Sequence, residues 1–177
     1  MIMGREEQMI NERKRKLKEL RDSGVNPYPH KFDVKHYSAG IKEEHKGLED
    51  NERSRSRVVV AGRVMTVRNL GKLIFATIQD RDGRIQLILQ KGETSEEDFK
   101  LFKKYVDAGD FVGCKGMVMK SKTGEISVLV KKAQMLSKSL LPLPEKFHGL
   151  KDDEERYRKR YLDLIMNPEV KKVFDKR

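Results

Sequence analysis

The feature that most constrains this chain is a series of five short segments, between residues 57 and 136, in which apolar and polar side chains alternate. Alternation with a period of two is typical of β-strands that bury one face. Turn-forming residues, mainly glycine and aspartate, separate most of these segments. The predicted strands cover residues 58–68, 73–79, 84–90, 111–120 and 126–136. We expect Gly62, inside the first strand, to mark a bulge or a bend.

One predicted helix lies between the third and fourth strands. Residues 94–107 carry Phe99, Phe102 and Val106 at helical spacing, and Thr94 with Glu97 fits a capping box. The resulting order, β-β-β-α-β-β, is that of the OB-fold, a partly open five-stranded Greek-key barrel. The sequence therefore predicts an all-β core with flanking helices.

The second and third strands form a predicted hairpin with an aromatic side chain on its polar face. Alternation places Phe75 and Gln86 on the outer face of these strands. With a turn at Asp82-Gly83, Gln86 lies opposite Phe75 or one diagonal step away, and Arg68 lies at the neighbouring strand end. A ring, an amide and a cation suit a single-stranded base. The structural alternative is that a loop or a helix covers Phe75.

The predicted fold favours the binding interpretation of Phe75. The nucleic-acid face of an OB-fold lies on its second and third strands, flanked by the loops between strands 1 and 2 and between strands 4 and 5. Lys72 lies in the first of these loops and Lys122 in the second. Both lysines are therefore candidates to contact RNA phosphates.

An excess of positive charge accompanies the predicted strands. The formal net charge of the chain is +11, of which residues 57–136 contribute +6. A basic surface attracts polyanions, most often nucleic acid, whereas a solvated Lys/Glu surface of the thermostable type is usually closer to balance. We therefore expect a nucleic-acid partner.

Other functional classes find little support in the sequence. Cys114 is the only cysteine and the four histidines lack metal-ligand spacing, so neither a disulfide nor a metal site is predicted. Lys72 lacks a P-loop, and Lys122-Thr123-Gly124 lacks the nucleophile context of a penicillin-binding enzyme. We find no catalytic constellation, secretory signal or apolar run long enough for a membrane. A cytoplasmic location is predicted.

A basic helix is predicted at the N-terminal end. Residues 5–23 are rich in helix formers with a thin apolar stripe, and Gly24 is placed to end the helix. Its cations, Arg13, Lys14 and Lys16 among them, either cover a solvated surface or contact RNA phosphates. Both interpretations remain open.

Connectors and short helices surround the predicted barrel. Residues 25–32 contain two prolines and form a connector, a short helix is predicted within residues 38–49, and residues 51–56 have the composition of a linker. Residues 139–144 are a proline-stiffened connector.

Two amphipathic helices are predicted near the C-terminal end. Asp152 caps the first helix, whose apolar face includes Tyr157 and Tyr161, and Asn167-Pro168 begins the second. The chain stops at Arg177 without a helix stop signal, which suggests truncation inside a larger protein.

Several stretches resemble the N-terminal part of lysyl-tRNA synthetase, a class II aminoacyl-tRNA synthetase. They are VVVAGRVMTVR, FATIQDRDGRIQL, GDFVGCKGMVMKSKTGEISV and LPLPEKFHGLKDDEERYRKRYLDLI, with the helix and connector REEQMINERKRKLKELRDSGVNPYP. The string HGLKDDEERYRKRYLDLI is the most specific, because aspartyl- and asparaginyl-tRNA synthetases share the OB-fold and a shorter RYLDL pattern without the KFHGL approach.

The resemblance implies that the predicted OB-fold binds the uridine-rich anticodon of tRNA(Lys). By match to the family motif, Phe75 would stack on the central uridine, and Arg68 and Gln86 would read its edge. Glu125 would accept a hydrogen bond from the first anticodon base, since a carboxylate beside RNA needs a base N–H to face. The sequence departs from the family at Asn69-Leu70, where more basic or methionine-containing variants are expected.

The resemblance also implies a longer parent protein. Motif 1, the class II dimer helix, would start near residues 174–177, and motifs 2 and 3, which bind ATP and perform adenylation, would lie beyond the end. The parent would be a homodimeric lysine–tRNA ligase that uses ATP and Mg²⁺, whereas this chain would hold no cofactor and catalyse nothing. Residues 1–56, 57–136 and 137–177 would then be an N-terminal extension, the anticodon-binding domain and an interdomain linker.

Three alternatives to this interpretation remain. The chain could be a general single-strand-binding OB-fold protein, the anticodon domain of an aspartyl- or asparaginyl-tRNA synthetase, or an interaction fragment built on its C-terminal helices. The sequence does not distinguish a fragment from a natural stand-alone paralogue.

Overall fold

The computed structural model describes residues 4–144 and 153–176. Contacts along the chain divide it into two units, residues 1–141 and 142–177, and each unit is described here by itself. Within the described residues, no helix is both long enough and apolar enough to cross a membrane.

Five strands of the first unit form a sheet that closes on itself in the order β1-β2-β3-β5-β4. They are β1 (Arg53–Asn69), β2 (Leu73–Gln79), β3 (Arg84–Gln90), β4 (Phe111–Lys120) and β5 (Ile126–Ser137). All pairings are antiparallel except that of β3 with β5. The helices of this unit are α1 (Arg5–Asp22), α2 (Ser38–Glu44) and α3 (Glu96–Tyr105). The predicted order of five strands and one intervening helix is confirmed, and the second, third and fourth strands have the predicted bounds.

The strand β1 is longer than the sequence pattern indicated. Residues 53–56, predicted as part of a linker, are strand because Arg53 and Arg57 pair with Met119 and Met117 of β4. Their polar side chains hide this pairing from an analysis of apolar alternation, which detects a strand only where one face is buried.

The alternation along the strands places their apolar side chains inside the closed sheet. Ile74, Ala76 and Ile78 of β2 are each at most 1% exposed, and Ile85 and Leu87 of β3 are equally buried. Each fully buried aliphatic side chain contributes roughly 1.5–3 kcal/mol to folding. The hydrophobic core therefore fixes which face of the hairpin points to solvent.

The helix α3 packs against the core as predicted but begins differently. Phe99, Phe102 and Val106 belong to the hydrophobic core. The N-cap is Ser95, whose hydroxyl accepts a hydrogen bond from the Asp98 backbone N–H at 3.3 Å. The capping box predicted at residues 94–97 is therefore wrong, because the hydroxyl of Thr94 is buried and donates to the Val130 carbonyl at 2.7 Å.

The tip of the β2–β3 hairpin is organised by Asp80 rather than by the Asp82-Gly83 pair alone. The Asp80 carboxylate accepts hydrogen bonds from the backbone N–H groups of Asp82 and Gly83, at 2.9 and 2.8 Å. It also accepts from the backbone and side chain of Ser38, the first residue of α2. The loop is thereby held against α2.

Gly62 does not form the bulge predicted for it. A Cβ atom at this position would lie 2.6 Å from the Gln79 carbonyl oxygen, so glycine is needed for the close approach of β1 to the end of β2. The shift in pairing between β1 and β2 falls instead between Val64 and Thr66.

The helix α1 ends as predicted but is attached by polar as well as apolar contacts. The backbone N–H of Gly24 donates to the Arg21 carbonyl at 3.0 Å, which closes the helix. Leu20 is fully buried, and Arg13 is only 8% exposed. The Arg13 guanidinium donates to the carbonyls of Ala108, Ser139 and Leu141 at 2.8–3.2 Å. An arginine at this place therefore anchors the helix.

A buried ion cluster lies beside the arginine anchor. The Lys138 ammonium is fully buried and bonds to the carboxylates of Asp107 and Asp110, at 2.5 and 2.7 Å. Lys16 of α1 bonds to Asp107 at 2.6 Å. Burial acts to raise the pKa of Asp107, but the hydrogen bonds and charges of Lys138 and Lys16 outweigh it and hold that pKa below its ordinary value.

The second unit contains three short helices, α4 (Asp153–Arg158), α5 (Arg160–Met166) and α6 (Pro168–Asp175). The predicted cap Asp152 lies outside the described residues. The first predicted helix is interrupted at Lys159, the N-cap of α5. Proline occupies the start of α6 as predicted, but the Asn167 amide donates to the buried Asp163 carboxylate at 2.6 Å instead of capping the helix.

Candidate nucleic-acid interface

The outer face of β1, β2 and β3 brings together three of the predicted site residues. Phe75 pairs directly with Arg68 on one side and with Ile88 on the other. Gln86 pairs with Thr77, two residues from Phe75 along β2, and is therefore its diagonal neighbour. The predicted arrangement of a ring, an amide and a cation on one sheet surface is confirmed.

A bulge in β1 gives Arg68 its position. Val60 and Val64 of this strand are fully buried, and uninterrupted alternation would also turn Arg68 towards the core. The pairing shift between Val64 and Thr66 adds one residue and reverses the alternation, so that Arg68 lies opposite Phe75 and is exposed. The bulge therefore aims a cation at the binding face.

The ring of Phe75 lies on the sheet surface and remains partly accessible. It is half-buried, whereas its cross-strand partner Ile88 is 5% exposed although it shares the outer face. A ring covered by a loop or a helix would be fully buried. The observed exposure is that of a ring whose inner side rests on the sheet and whose outer side faces solvent, which suits stacking on one base.

The amide of Gln86 is held in place from both ends. Its Nε2 donates to the Glu125 carboxylate at 2.9 Å, and its Oε1 lies 3.2 Å from the Ser127 hydroxyl. A glutamine amide has a second N–H and a second acceptor position in its plane. The unused N–H and lone pair are available to a base edge with the amide already oriented.

Glu125 reaches the hairpin from the loop between β4 and β5. The loop is closed by a hydrogen bond from the Gly124 N–H to the Ser121 carbonyl at 3.0 Å, and Gly124 adopts a left-handed φ of +79°. The Ser121 hydroxyl accepts from the Glu125 N–H at 3.1 Å. Lys122 is exposed at the tip of the same loop. The contact between Glu125 and Gln86 was not predicted from the sequence, since it joins residues 39 positions apart.

The loop between β1 and β2 lies beside the same face. The Asn69 side chain accepts from the Gly71 N–H at 3.0 Å, and the Leu70 N–H donates to the Leu73 carbonyl at 2.8 Å. Lys72 is exposed as predicted. Leu70 is 60% exposed, which makes it an apolar contact at the rim that the binding prediction omitted. Its position between a strand end and a turn was the available signal.

The basic residues predicted on α1 do not share one surface. Arg13 is bound to backbone carbonyls, which corrects its proposed role as a phosphate contact, because a guanidinium with three internal acceptors has little left to offer a ligand. Lys16 is committed to Asp107. Lys14 is exposed.

Among the described residues, no group of three or more histidine, cysteine, aspartate or glutamate side chains is placed to hold a metal ion. Cys114 is buried inside the closed sheet, and burial raises the pKa of its thiol to about 12. The thiol is therefore uncharged at neutral pH and is not a nucleophile.

Comparison with known proteins agrees with this geometry. Residues 58–136 match the sequence model of the tRNA anti-codon family, described as an OB-fold nucleic acid binding domain. The chain is 54% identical over 159 residues to a lysine–tRNA ligase of Methanoculleus marisnigri and 50% identical over 159 residues to one of Lactococcus lactis subsp. cremoris. It is 45% identical over 177 residues to a lysine–tRNA ligase of Pelotomaculum thermopropionicum.

The chain spans only part of these relatives. The three alignments cover 90%, 89% and 98% of this chain but 31%, 32% and 34% of the relatives. The matched family segment contains the strands that carry Arg68, Phe75, Gln86 and Glu125. The chain is therefore the counterpart of the anticodon-binding OB-fold region of lysyl-tRNA synthetases.

Proposed function

We propose that this chain recognises the anticodon stem-loop of tRNA(Lys) for an enzyme that attaches lysine to that tRNA. The observation that carries the proposal is the assembly of Arg68, Phe75, Gln86 and Glu125 on one outer face of the closed sheet. The similarity to lysine–tRNA ligases supplies the RNA, and the geometry supplies the means of reading it.

The proposed roles follow from the chemistry of each group. The half-buried ring of Phe75 stacks on the central uridine of the anticodon. Arg68, directly opposite the ring, donates to an acceptor on the uracil edge, and the oriented amide of Gln86 both donates to and accepts from that edge. Glu125 accepts a hydrogen bond from an N–H of the first anticodon base.

Exposed lysines at the rim complete the proposed contact. Lys72 and Lys122 lie in the two loops that border the face, and Lys14 is exposed on α1. Lysines at such positions contact phosphates without reading sequence, so they add affinity and salt dependence rather than specificity.

The full-length enzyme is proposed to be an ATP- and Mg²⁺-dependent lysine–tRNA ligase that works as a homodimer. Adenylation of lysine is assigned to sequence outside the part that this chain shares with its relatives. We expect the 177-residue chain itself to give no lysine-dependent pyrophosphate exchange.

A change of one base in the RNA tests the proposed recognition. We compare the binding of anticodon stem-loops that carry uridine or cytidine at the central position. Cytosine keeps the pyrimidine ring for stacking but exchanges an N–H donor and a carbonyl acceptor for the opposite pair, so it isolates edge recognition. A bidentate contact discriminates by about 1–3 kcal/mol, which is about 5- to 150-fold in affinity.

Equal affinity for the two stem-loops would refute the proposal. It would favour the alternative function, a general single-strand-binding OB-fold protein, which stacks bases of any sequence on its aromatic side chain.

A further inference from the structure

A second concentration of positive charge lies on the outer face of β4 and β5. Lys115 and Lys132 are directly opposite each other across these antiparallel strands, and both are exposed. Like charges in directly opposed positions destabilise a sheet. In the part of the chain that the structure describes, no carboxylate forms an ion pair with either lysine.

Arg57 of β1 extends this charge to a third strand. Its neighbours in the adjacent pairings place it in one cross-strand row with Met117, and Val59, two residues further along β1, pairs with Lys115. Arg57 is exposed and likewise has no carboxylate partner among the described residues. We call Arg57, Lys115 and Lys132 the basic strip.

The basic strip is connected to the base-binding face by the register of the sheet. The row that contains Arg57 and Met117 continues through Leu129 and Ile88 to Phe75. These are four steps between neighbouring strands, or about 19 Å around the surface at about 4.8 Å per step. A single RNA molecule can therefore occupy both places.

The surface beside the two lysines is open. Lys115 and Lys132 line a groove of about 400 Å³ whose opposite wall includes Phe32. Asp98 also lines this groove, but its carboxylate accepts a hydrogen bond from the Ala133 N–H at 3.0 Å and makes no ion pair with either lysine. The groove thus presents two cations to an extended anion.

We propose that the basic strip binds phosphates of the tRNA that flank the anticodon, as a contact independent of sequence. The proposal rests on the proposed function, because it takes as its ligand the RNA whose anticodon occupies the face around Phe75. It accounts for a pair of opposed lysines that costs the free protein stability, since phosphates between the two ammonium groups turn repulsion into attraction.

The double variant Lys115→Gln/Lys132→Gln tests the basic strip. We measure its affinity for the uridine and cytidine stem-loops between 50 and 200 mM salt. Each lost phosphate contact lowers the slope of log K against log salt by about 0.7–0.9, so the ratio of variant to wild-type Kd should shrink about 7- to 12-fold over this interval. The loss should be the same for both RNAs, because phosphates carry no base identity.

Matched measurements separate a binding role from a structural one. Lys103→Gln, which removes an exposed lysine of α3 outside the strip, should leave the salt slope unchanged. Lys132→Gln should raise the thermal midpoint of the free protein, because it removes the opposed charge, while it weakens binding. A variant with wild-type salt slope would overturn the proposal, and so would a loss confined to the uridine stem-loop.

The outcome does not depend on the central-base comparison. If wild-type protein binds both stem-loops equally, the proposed anticodon reading fails, and the salt slope of the double variant still reports on the basic strip. If the base preference holds and the slope is unchanged, only the strip is refuted.

Discussion

Replacing Phe75 with leucine removes the ring from the binding face while it keeps an apolar side chain opposite Ile88. The position is half-buried, so the substitution changes packing on only one side of the residue. Volume-conserving apolar changes cost less than about 1.5 kcal/mol even in a core. The folded structure should therefore survive, and a change in RNA affinity can be assigned to the ring.

The expected loss of affinity follows from the number of bases that the ring can hold. The inner side of Phe75 lies against the sheet, so a single base stacks on its outer side. One such contact contributes about 1–3 kcal/mol, which corresponds to about 5- to 150-fold in Kd. The loss should appear with both the uridine and the cytidine stem-loop, because both present a pyrimidine face.

Fluorescence anisotropy with labelled stem-loops measures this loss, and circular dichroism melting verifies the fold. Leu73→Val is the matched control, since Leu73 is also half-buried and lies two residues from Phe75 on the same face of β2. We expect its affinity to stay near that of the wild type. If Phe75→Leu binds as the wild type does, the ring is structural. If both variants weaken binding equally, the outer face is perturbed as a whole and stacking is not the cause.

Three further predictions test the site and the fold. Glu125→Gln, which can still accept a hydrogen bond from Gln86, should abolish discrimination at the first anticodon base and leave that at the central base; unchanged preferences in filter binding would contradict its role. Gly62→Ala should lower the stability measured by thermal melting by about 3 kcal/mol, because its Cβ would lie 2.6 Å from a backbone oxygen, while Gly40→Ala, with nothing within 4 Å, should not. Asp107 has a pKa lowered in the folded state, so its stabilisation is complete above its ordinary value of 3.8 and is lost as the pH falls through the folded pKa. The stability difference between wild type and Asp107→Asn in urea titrations should therefore narrow below pH 3.8, and a difference independent of pH would refute this assignment.

Much of the fold follows from local pattern. Burial of one face with a period of two is recorded residue by residue, so the bounds of β2, β3 and β4 and the outward direction of Phe75 could be predicted. The diagonal relation of Phe75 to Gln86 also followed, since the two strands are joined by a short loop that restricts their register.

Polar segments were predicted less well because their contacts, rather than their composition, decide their structure. Residues 53–56 became strand through pairing with β4, and Thr94 lost the expected capping role to a buried hydrogen bond with the Val130 carbonyl. Arg13 had the composition of a solvated helix face, but carbonyls 95 to 128 positions away in the chain accept its guanidinium.

The sequence by itself determined the order of the strands and helix, the buried face of the hairpin and the residues that could meet a base. The tertiary structure alone decided that the bulge between Val64 and Thr66 turns Arg68 outward, and that Glu125 orients Gln86. Alternation reports only whether a side chain is buried, since hydrophobic burial acts on each residue separately. Which polar groups meet depends on how distant strands close into one sheet, and no local pattern contains that information.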